Sequence, residues 1–574
     1  MGNCKFSNVF NRLRKSSSDS IDNVEYFDGF KEYMHVQRPA ETDLKDILRK
    51  VNDSSRKTLV LLCGSAGDGK SHLLSYLKNA DEEKLIENYF VYNDATESSS
   101  PSMTAIETLN NFLDGFKDNN LSQPGQNIIL AINLGVLSNF IESEYGSEYS
   151  ILRRYVEESN ILTSQINHNS FDSESHFQHV SFSDYHMYSL TEEGVHAGYI
   201  EDIFKKVFTN NEENIFYHAY ENACSECPLS QKCPVKKNYE YMMDEKRQIY
   251  ISELLVKVII QNKLILTTRE ILNFIYDIII SQSFSFTNFQ KLLVDDTAYL
   301  KEFLKQITPA LLFDSADVTL LLTMLQRFDP LLHRSENADT EAISYYVSTD
   351  VSKDLSRAFG QMTYKDIICN PAVAEKVNDD KAIKAILFNL MVRVQTIDNE
   401  SFTDDIYTEY LSDLYLFNAG KGKKLGSLYG KVEKAVTQWC GSDEDGNLCL
   451  NDNNSTFLLY ENVKFEENLD YVPKVGENTE LQRFIPSIIV AFDGSEGDKI
   501  VLDIDYALYE MICKLNKGYI QTADDRNSHA DFISFVNRIL QSGSLTEKVE
   551  IVSVDGRRAS ISQGKFGYKF KAVR

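Results

Sequence analysis

An apolar strand that runs directly into a glycine-rich turn constrains this chain more than any other feature. Residues 59–63 (LVLLC) have the pattern of a buried parallel strand, and residues 64–71 (GSAGDGKS) follow with the spacing G-x-x-x-x-G-K-[ST]. A helical pattern begins at His72. Glycines suit a backbone that must wrap closely around a phosphate, because some of the required conformations are cheap only without a side chain. The segment therefore predicts a loop that binds the phosphates of ATP or GTP.

The positions of this loop have distinct expected roles. Lys70 is expected to reach the β- and γ-phosphates, and Ser71 is expected to offer its hydroxyl to Mg²⁺. The helix that follows presents its positive N-terminus to the anion. The residues expected to bind the nucleotide are Gly64, Ser65, Ala66, Gly67, Asp68, Gly69, Lys70, Ser71 and His72.

Further strands and helices alternate around the loop. A helical pattern precedes it from about residue 33, and a second helix is expected at 105–116. Additional strands are expected at residues 89–92, 127–133 and 179–183. This alternation predicts an α/β P-loop NTPase domain with a parallel sheet, of the AAA+ or STAND type, over residues 33–213.

The rest of the chain divides by composition and pattern. Residues 1–32 contain a serine run and little apolar periodicity, so we expect a flexible N-terminal arm. A charged, glycine-rich stretch at residues 441–446 marks a boundary. The expected order after the nucleotide-binding domain is a cysteine-rich insertion at 214–245, a helical lid and helical domain at 246–440, and a C-terminal α+β domain at 441–574.

Hydrolysis requires a carboxylate near the phosphates, and the ends of the strands are the places to look for it. The strand at 127–133 ends in Asn133, whose amide can orient a water but cannot act as a base. Asp94 after the second strand and Asp184 after the fourth are candidates, with a solvated loop charge as the alternative for each. Arg269 begins a helix that can swing over the nucleotide as a lid arginine, unless it is an ordinary exposed arginine.

Three cysteines within ten residues form a second candidate site. Cys224 and Cys227 have the C-x-x-C spacing that lets two thiolates reach one metal, and Cys233 follows closely. His218 would complete the Cys₃His zinc site that we favour. A distant cysteine such as Cys369 would instead complete a four-cysteine zinc site or an iron–sulfur cluster. The alternative without metal is a set of free or redox-active thiols.

Charge and cysteine content narrow the class of function. The formal net charge is −26, so contact with DNA requires a local basic patch or a basic partner. Nine scattered cysteines and the lack of an apolar run of membrane-spanning length favour a cytoplasmic protein without membrane contact. The local basic candidates are Lys421, Lys423 and Lys424, and near the C-terminus Lys565, Lys569, Lys571 and Arg574.

Four stretches of the chain occur in the order typical of one family. They are residues 63–74 (CGSAGDGKSHLL), residues 93–97 (NDATE), residues 131–137 (AINLGVL) and the Cys-Pro pairs at positions 227–228 and 233–234. Over most of its length the chain thus resembles the DNA phosphorothioation-dependent restriction protein DptF (DndF) family. That family serves bacterial defence against DNA without phosphorothioate marks, together with DptG and DptH, and is regarded as an ATPase. The resemblance implies an ATP-hydrolysing subunit that has DptG-like and DptH-like partners and reaches DNA through their complex.

Two other classes of function stay open. One is a nucleotide-sensing signalling ATPase of the STAND type, and the other is a scaffold that binds nucleotide without hydrolysing it. No nuclease motif stands out, because the acidic pair Asp503 and Asp505 alone is a weak signal. We therefore expect DNA cutting, if the system cuts DNA, to belong to a partner.

Overall fold

The computed structural model contains a four-stranded parallel sheet directly beneath the glycine-rich turn. In the described part of the chain its strands are β1 (Leu59–Cys63), β2 (Tyr89–Tyr92), β3 (Asn127–Ile132) and β4 (Phe177–Ser181), in the order β2-β3-β1-β4. Every residue of β1 is buried, as expected for a central strand covered on both faces. The parallel sheet confirms the expected α/β layering, and the fourth strand begins two residues earlier than predicted.

The structure describes most of the sequence. The described residues are 4–19, 28–65, 67–93, 104–162, 170–333, 336–399, 404–451, 456–463, 465–474, 478–494, 497–542, 548–553, 555–564 and 567–573. They belong to two units. The first comprises Met1–Ser189 and His196–Phe402, and the second comprises Leu190–Val195 and Thr403–Arg574.

Helices surround the sheet and make up most of the first unit. They are α1 (Lys5–Asp19), α2 (Gly29–Tyr33), α3 (Pro39–Asn52), α4 (Lys70–Asn79), α5 (Ala105–Phe112), α6 (Leu134–Glu142), α7 (Ser150–Glu158), α8 (Gly198–Phe208), α9 (Ile215–Ser225), α10 (Pro234–Met242), α11 (Glu245–Asn262), α12 (Thr268–Ile279), α13 (Phe286–Leu292), α14 (Asp296–Gln306), α15 (Thr308–Asp314), α16 (Leu320–Gln326), α17 (Glu336–Val347), α18 (Val351–Phe359), α19 (Lys365–Ile368), α20 (Pro371–Asp379) and α21 (Lys381–Asn399). Strands β5 (Tyr185–Thr191) and β6 (Gly194–His196) follow β4. Within the described ranges, no helix combines the length and apolar character needed to cross a membrane.

Alternate residues of β1 pack into two separate apolar layers. Val60 and Leu62 belong to the layer that also contains the buried faces of α3 and α4. Leu59 and Leu61 belong to the layer formed with α5, α6 and α7. Successive side chains of a strand point to opposite faces, so a fully apolar strand such as β1 is stable only between two layers of helices.

Residues 5–19 form helix α1, although we expected a flexible arm over residues 1–32. Helix α1 buries Phe6, Phe10 and Leu13 completely or almost completely. The Phe10 ring lies 5.2 Å from Phe216 of α9 and 5.9 Å from Tyr239 of α10. The serine run and the charged residues of this segment obscured an apolar spacing of three and four residues, which is the period of an amphipathic helix.

The second unit begins before two helices that we had expected to belong to the helical domain. Its elements are α22 (Asp405–Asn418), α23 (Gly426–Cys440), β7 (Leu448–Cys449), β8 (Phe457–Glu461), β9 (Glu467–Asn468), β10 (Glu480–Arg483), β11 (Ile488–Asp493), β12 (Lys499–Ile504), α24 (Tyr506–Asn516), α25 (Ala523–Ser528), α26 (Ala530–Ser542), β13 (Lys548–Ser553), β14 (Arg558–Gly564) and β15 (Gly567–Val573). The Tyr429 hydroxyl of α23 donates to the carbonyl of Asn468 at 2.9 Å and accepts from the N–H of Ala491 at 3.4 Å. The division therefore lies near residue 403 rather than 441, because α22 and α23 bury their apolar faces in this unit.

Antiparallel sheets occur beside the helices of the second unit, in agreement with the expected α+β character. Strands β12, β11 and β9 make one antiparallel sheet in that order, and a five-stranded antiparallel sheet has the order β15-β14-β13-β8-β7. Strand β15 lies at the edge of the larger sheet with Tyr568 and Phe570 exposed. The alternation of lysine and aromatic residues there is that of an edge strand whose charges protect it from pairing with other chains.

Candidate functional site

The turn after β1 requires glycine for conformation at two positions and for space at a third. Gly67 and Gly69 have φ angles of 86° and 94°, in the left-handed region that other residues rarely adopt. A Cβ atom on Gly64 would lie 2.6 Å from Oδ2 of Asp68 and 2.9 Å from Cβ of Phe182. Gly69 is also the residue that precedes α4. The turn therefore has the backbone shape expected for a loop that encloses a phosphate.

Within this turn the Asp68 carboxylate already accepts a hydrogen bond from the loop backbone. The N–H of Ser65 donates to Oδ2 of Asp68, and Nζ of Lys70 donates to the carbonyl of Ser65 at 2.6 Å. Burial raises the pKa of Asp68, while the charge of Lys70, the Ser65 N–H and the charge of Arg38 lower it. On balance the pKa of Asp68 is raised above its ordinary value, with burial as the largest cause. Sequence analysis assigned it only a place in the loop.

Arg38 is a further cationic residue at the loop, and the sequence analysis missed it. Its Nη1 donates to the carbonyl of Asp68 at 2.6 Å, and its Nη2 donates to the carbonyl of Tyr185 at 3.4 Å. The guanidinium also lies 5.1 Å from the ring centroids of both Phe182 and Tyr199. Arg38 precedes α3, and no local motif marks it. These contacts hold the phosphate turn against the segment that follows β4.

The N-terminus of α12 lies against the same turn. A Cβ atom on Gly67 would be 3.2 Å from Cγ2 of Thr267, the residue that caps α12. Thr267 and Glu270 form a capping box, and the Thr268 hydroxyl is 2.9 Å from that of Tyr199. The first turn of α12 therefore has a defined geometry beside the loop.

Arg269 lies in this first turn of α12 and is partly buried. The structure therefore places it on the helix end that contacts the glycine turn, as the lid-arginine interpretation requires. Whether it contacts a nucleotide remains a prediction. A helix of 12 residues carries partial positive charge at its N-terminus, so α12 adds to the positive potential at the loop.

Asn133 and Asp184, two other residues predicted for the site, follow strands of the parallel sheet at their carboxyl ends. The N–H of Gly64 donates to the carbonyl of Ile132 at 3.2 Å, so Asn133 follows directly after a residue in contact with the loop. Asn133 caps α6, because its side chain accepts from the N–H of Gly135 at 2.9 Å. The sequence had not predicted this capping role for Asn133.

Asp184 lies in the turn Phe182–Asp184 that follows β4, on the other side of β1. Burial raises the pKa of Cys63 to about 12, and the nearby charges of Lys70 and Asp184 act on the same thiol in opposite directions. Asp184 and Lys70 therefore both lie near the carboxyl end of β1. Ala66, Asp94 and the neighbouring Glu97 fall outside the described residues.

His72 belongs to a chain of polar contacts that begins at the first turn of α4. Its Nε2 lies 3.2 Å from Nδ1 of His35, whose Nε2 lies 3.0 Å from a carboxylate oxygen of Glu41. Glu41 also pairs with Lys45 at 3.0 Å. Burial and the nearby cationic groups lower the pKa of His72 to about 4, so its imidazole is neutral at physiological pH. A polar cavity of about 390 Å³ opens beside His35 and is lined by Tyr33, Val36, Gln37, Asp202, Lys205, Lys206, Thr209, Asn211 and Glu213.

The cysteine cluster lies where α9 ends and α10 begins. Cys224 is in the last turn of α9, Cys227 follows it, and Cys233 precedes α10. Burial raises the pKa values of Cys224 and Cys233 to about 12, and the thiols of Cys4 and Cys227 add to both shifts. Cys4, which the sequence analysis passed over, is therefore a neighbour of this cluster.

The two fourth ligands proposed from sequence are not with these cysteines. His218 is exposed and lies 3.0 Å from Nδ2 of Asn222, which is on the same helix. Six residues separate it from Cys224, and at 100° per residue this spacing turns the two side chains to different faces of α9. The Cys369 thiol donates to the carbonyl of Leu355 at 3.4 Å. Among the described residues, no three His, Cys, Asp or Glu side chains form a group that could hold a metal ion.

Lys421, one of the lysines considered for DNA contact, has structural partners. Lys421 lies 3.6 Å from the carboxylate of Glu192 and 4.8 Å from the ring centroid of Tyr415. Lys569 and Lys571 belong to the edge strand β15. Lys565, Phe566 and Arg574 fall outside the described residues.

Comparison with known proteins adds no assignment for this chain. No protein-family model matches it, and no curated protein matches it either. The function must therefore be inferred from the residues and the geometry of the site.

Replacing Asp68 with Asn is expected to tighten ATP binding by about tenfold, which corresponds to about 1.4 kcal/mol. The substitution removes a negative charge that would repel the phosphates, while an amide oxygen can still accept from the Ser65 N–H. Titration with a fluorescent ATP analogue measures the change. Glu82→Gln, which removes an exposed charge just beyond α4, is the control and should leave affinity unchanged. Weaker binding by Asp68→Asn would show that the carboxylate supports the nucleotide-bound loop instead.

Proposed function

We propose that this chain binds Mg²⁺-ATP at residues 64–71 and hydrolyses it. One observation carries the proposal: a glycine turn, Lys70 and the N-termini of α4 and α12 meet at the carboxyl edge of a parallel sheet. Backbone N–H groups and helix N-termini both present partial positive charge, so their convergence favours an anion. A ligand with several adjacent phosphates matches this arrangement best.

Each group at the turn has a part in binding a triphosphate. In this proposal Lys70 leaves the Ser65 carbonyl and reaches the β- and γ-phosphates, while the Ser71 hydroxyl binds Mg²⁺. Backbone N–H groups of the turn, among them that of Ser65, donate to phosphate oxygens once Asp68 has released them. Arg38 keeps the turn in place through the Asp68 carbonyl. Arg269 adds a positive charge from the first turn of α12.

The cavity beside His35 is the expected location of the base and ribose. His35 lines this cavity and contacts His72, which follows the residues that would bind the phosphates. A nucleoside attached to those phosphates would extend toward the cavity. Tyr33 offers an aromatic ring to the base, and Gln37 offers an amide that can form hydrogen bonds.

Hydrolysis requires a carboxylate that positions water or the metal, and two candidates follow strands of the sheet in the sequence. Asp184 follows β4, which pairs with β1, and Asp94 comes two residues after the end of β2 in the sequence, outside the described residues. Carboxyl ends of parallel strands share one edge, so both positions are compatible with the proposal. Asn133 between them would orient water through its amide if it gives up its cap at α6.

A scaffold that binds nucleotide without turnover is the second candidate function. Strand β3 pairs with β1, the strand that leads into the loop, and Asn133 follows β3. The side chain at this position is therefore an amide that caps a helix and not a carboxylate, which favours binding without hydrolysis. The measurement of turnover in the variants described below separates the two functions.

The resemblance to the DptF family supports a place in a bacterial restriction complex that distinguishes unmodified from phosphorothioated DNA. The chain carries a net charge of −26, and its described basic segments are partly neutralised by neighbours such as Glu192. Phosphate contacts supply most non-specific DNA affinity. We therefore propose that DptG-like and DptH-like partners supply the DNA-binding surface, and that this chain supplies ATP turnover.

Lys70→Ala is expected to abolish Mg²⁺-dependent ATP binding, because the charge of the γ-phosphate is left uncompensated. Isothermal titration with ATP measures this loss. Lys78→Ala removes an exposed lysine from the end of the same helix and serves as the matched control. Unchanged affinity in a folded Lys70→Ala protein would refute the site.

Asp184→Asn or Asp94→Asn is expected to lower the turnover of ATP by at least about 100-fold while changing its affinity little. A carboxylate that positions water or metal stabilises mainly the transition state, so its loss lowers turnover much more than affinity. Phosphate release under saturating ATP measures turnover, and Glu87→Gln provides an exposed acidic control. If both variants hydrolyse ATP normally, neither residue is the acid. If the wild-type chain and its complex bind ATP without turnover, the scaffold function is correct.

DNA is expected to stimulate ATP turnover only in the assembled complex. The isolated chain should bind DNA weakly and in a salt-sensitive manner, because it must rely on a few lysines against a large negative charge. Co-purification with the proteins encoded beside it, followed by ATPase assays with modified and unmodified DNA, tests this assignment. Tight, salt-resistant DNA binding by the chain alone would contradict it, as would a complex whose turnover ignores DNA.

A further inference from the structure

The structure brings a fourth cysteine to the cluster at the junction of α9 and α10. Cys4, immediately before α1, lies within electrostatic range of both Cys224 and Cys233, and Cys227 lies within range of the same two thiols. These four residues come from two segments far apart in the sequence. The remaining described cysteines are outside this set, with Cys369 bonded to the Leu355 carbonyl.

Aromatic packing explains why Cys4 lies there. Phe6, two residues after Cys4, has its ring 5.9 Å from that of Tyr220 and 5.2 Å from that of Tyr239. Tyr220 is one helical turn before Cys224 on α9, and Tyr239 is on α10, which begins just after Cys233. The same contacts that bury α1 therefore hold its first residues over the cysteine cluster.

We propose that Cys4, Cys224, Cys227 and Cys233 hold one metal centre through four thiolates, with Cys4 as the fourth ligand. The centre is structural: it joins the start of α1 to α9 and α10. Cysteine has a single rotatable side-chain torsion before its sulfur, so a metal gathers neighbouring thiols by rotamer changes and small shifts near the chain start. Binding releases the thiol protons and leaves the oxidation state of the sulfurs unchanged.

Four cysteine thiolates bind either a zinc ion or an iron–sulfur cluster. The ligand set is common to both, and it excludes a cation such as Mg²⁺ or Ca²⁺, which prefers oxygen ligands. Metal analysis of the full-length protein, purified without air, distinguishes the two centres. Zinc at about one per chain without visible colour indicates the ion, and iron with visible absorption indicates the cluster. Either result supports a four-thiolate centre, and a protein that contains neither metal overturns the proposal.

Alkylation of the wild-type chain identifies the ligands without any substitution. Native protein is treated with iodoacetamide before and after metal removal by a chelator, and the modified cysteines are located by peptide mass spectrometry. We expect Cys4, Cys224, Cys227 and Cys233 to become reactive together when the metal is removed, because bound thiolates are protected. Cys369 should react equally in both samples. Reactivity of Cys4 that does not depend on the metal would remove it from the ligand set.

Substitutions then separate Cys4 from the fourth ligands considered from sequence. Cys4→Ser is expected to lose bound metal as completely as Cys227→Ser does. His218→Ala and Cys369→Ser are the matched controls and should retain the full metal content. If Cys4→Ser is poorly folded, Cys4→His decides the zinc case, because imidazole can replace a thiolate and should restore metal binding. Full metal content in Cys4→Ser, or its loss in His218→Ala, would overturn the assignment.

Discussion

The burial of β1 between two helical layers is the constraint on which the rest of the site depends. Leu59–Cys63 pairs with β3 on one side and β4 on the other, so the chain leaves the sheet at a single defined point. The N–H of Gly64 donates to the carbonyl of Ile132 at that point. A strand that is apolar on both faces cannot shift register without exposing its side chains or disturbing its neighbours. The glycine turn therefore starts from a rigid base.

Positive charge is concentrated around this turn, although the whole chain is strongly acidic. Lys70 comes from the loop, Arg38 from the segment before α3, and a second helix N-terminus from α12. Asp68 balances part of this charge within the turn. The same electrostatics explain both the expected affinity for a triphosphate and the expected competition between Asp68 and that ligand. Helix α1 contacts the opposite end of α12, where Arg14 forms an ion pair with Asp277.

Several elements could be predicted from the sequence because their signal is local. The strands predicted at 59–63 and 89–92 agree with the structure. The N-terminal helix was missed, because three apolar residues among serines and charges give a weak pattern until Phe216 and Tyr239 are known to cover them. The division near residue 403 was missed for a similar reason, since helical periodicity continues across it.

The sequence by itself determined the strand, the glycine turn and the helix that follows, since these depend on contiguous residues and on backbone preferences. Tertiary structure alone decided which distant residues complete each site. It placed Thr267 against Gly67, Arg38 against the Asp68 carbonyl, and Cys4 beside Cys224. No periodicity connects such pairs, because each depends on how buried apolar surfaces pack together. Packing is a property of the whole unit, whereas a motif records only its own segment.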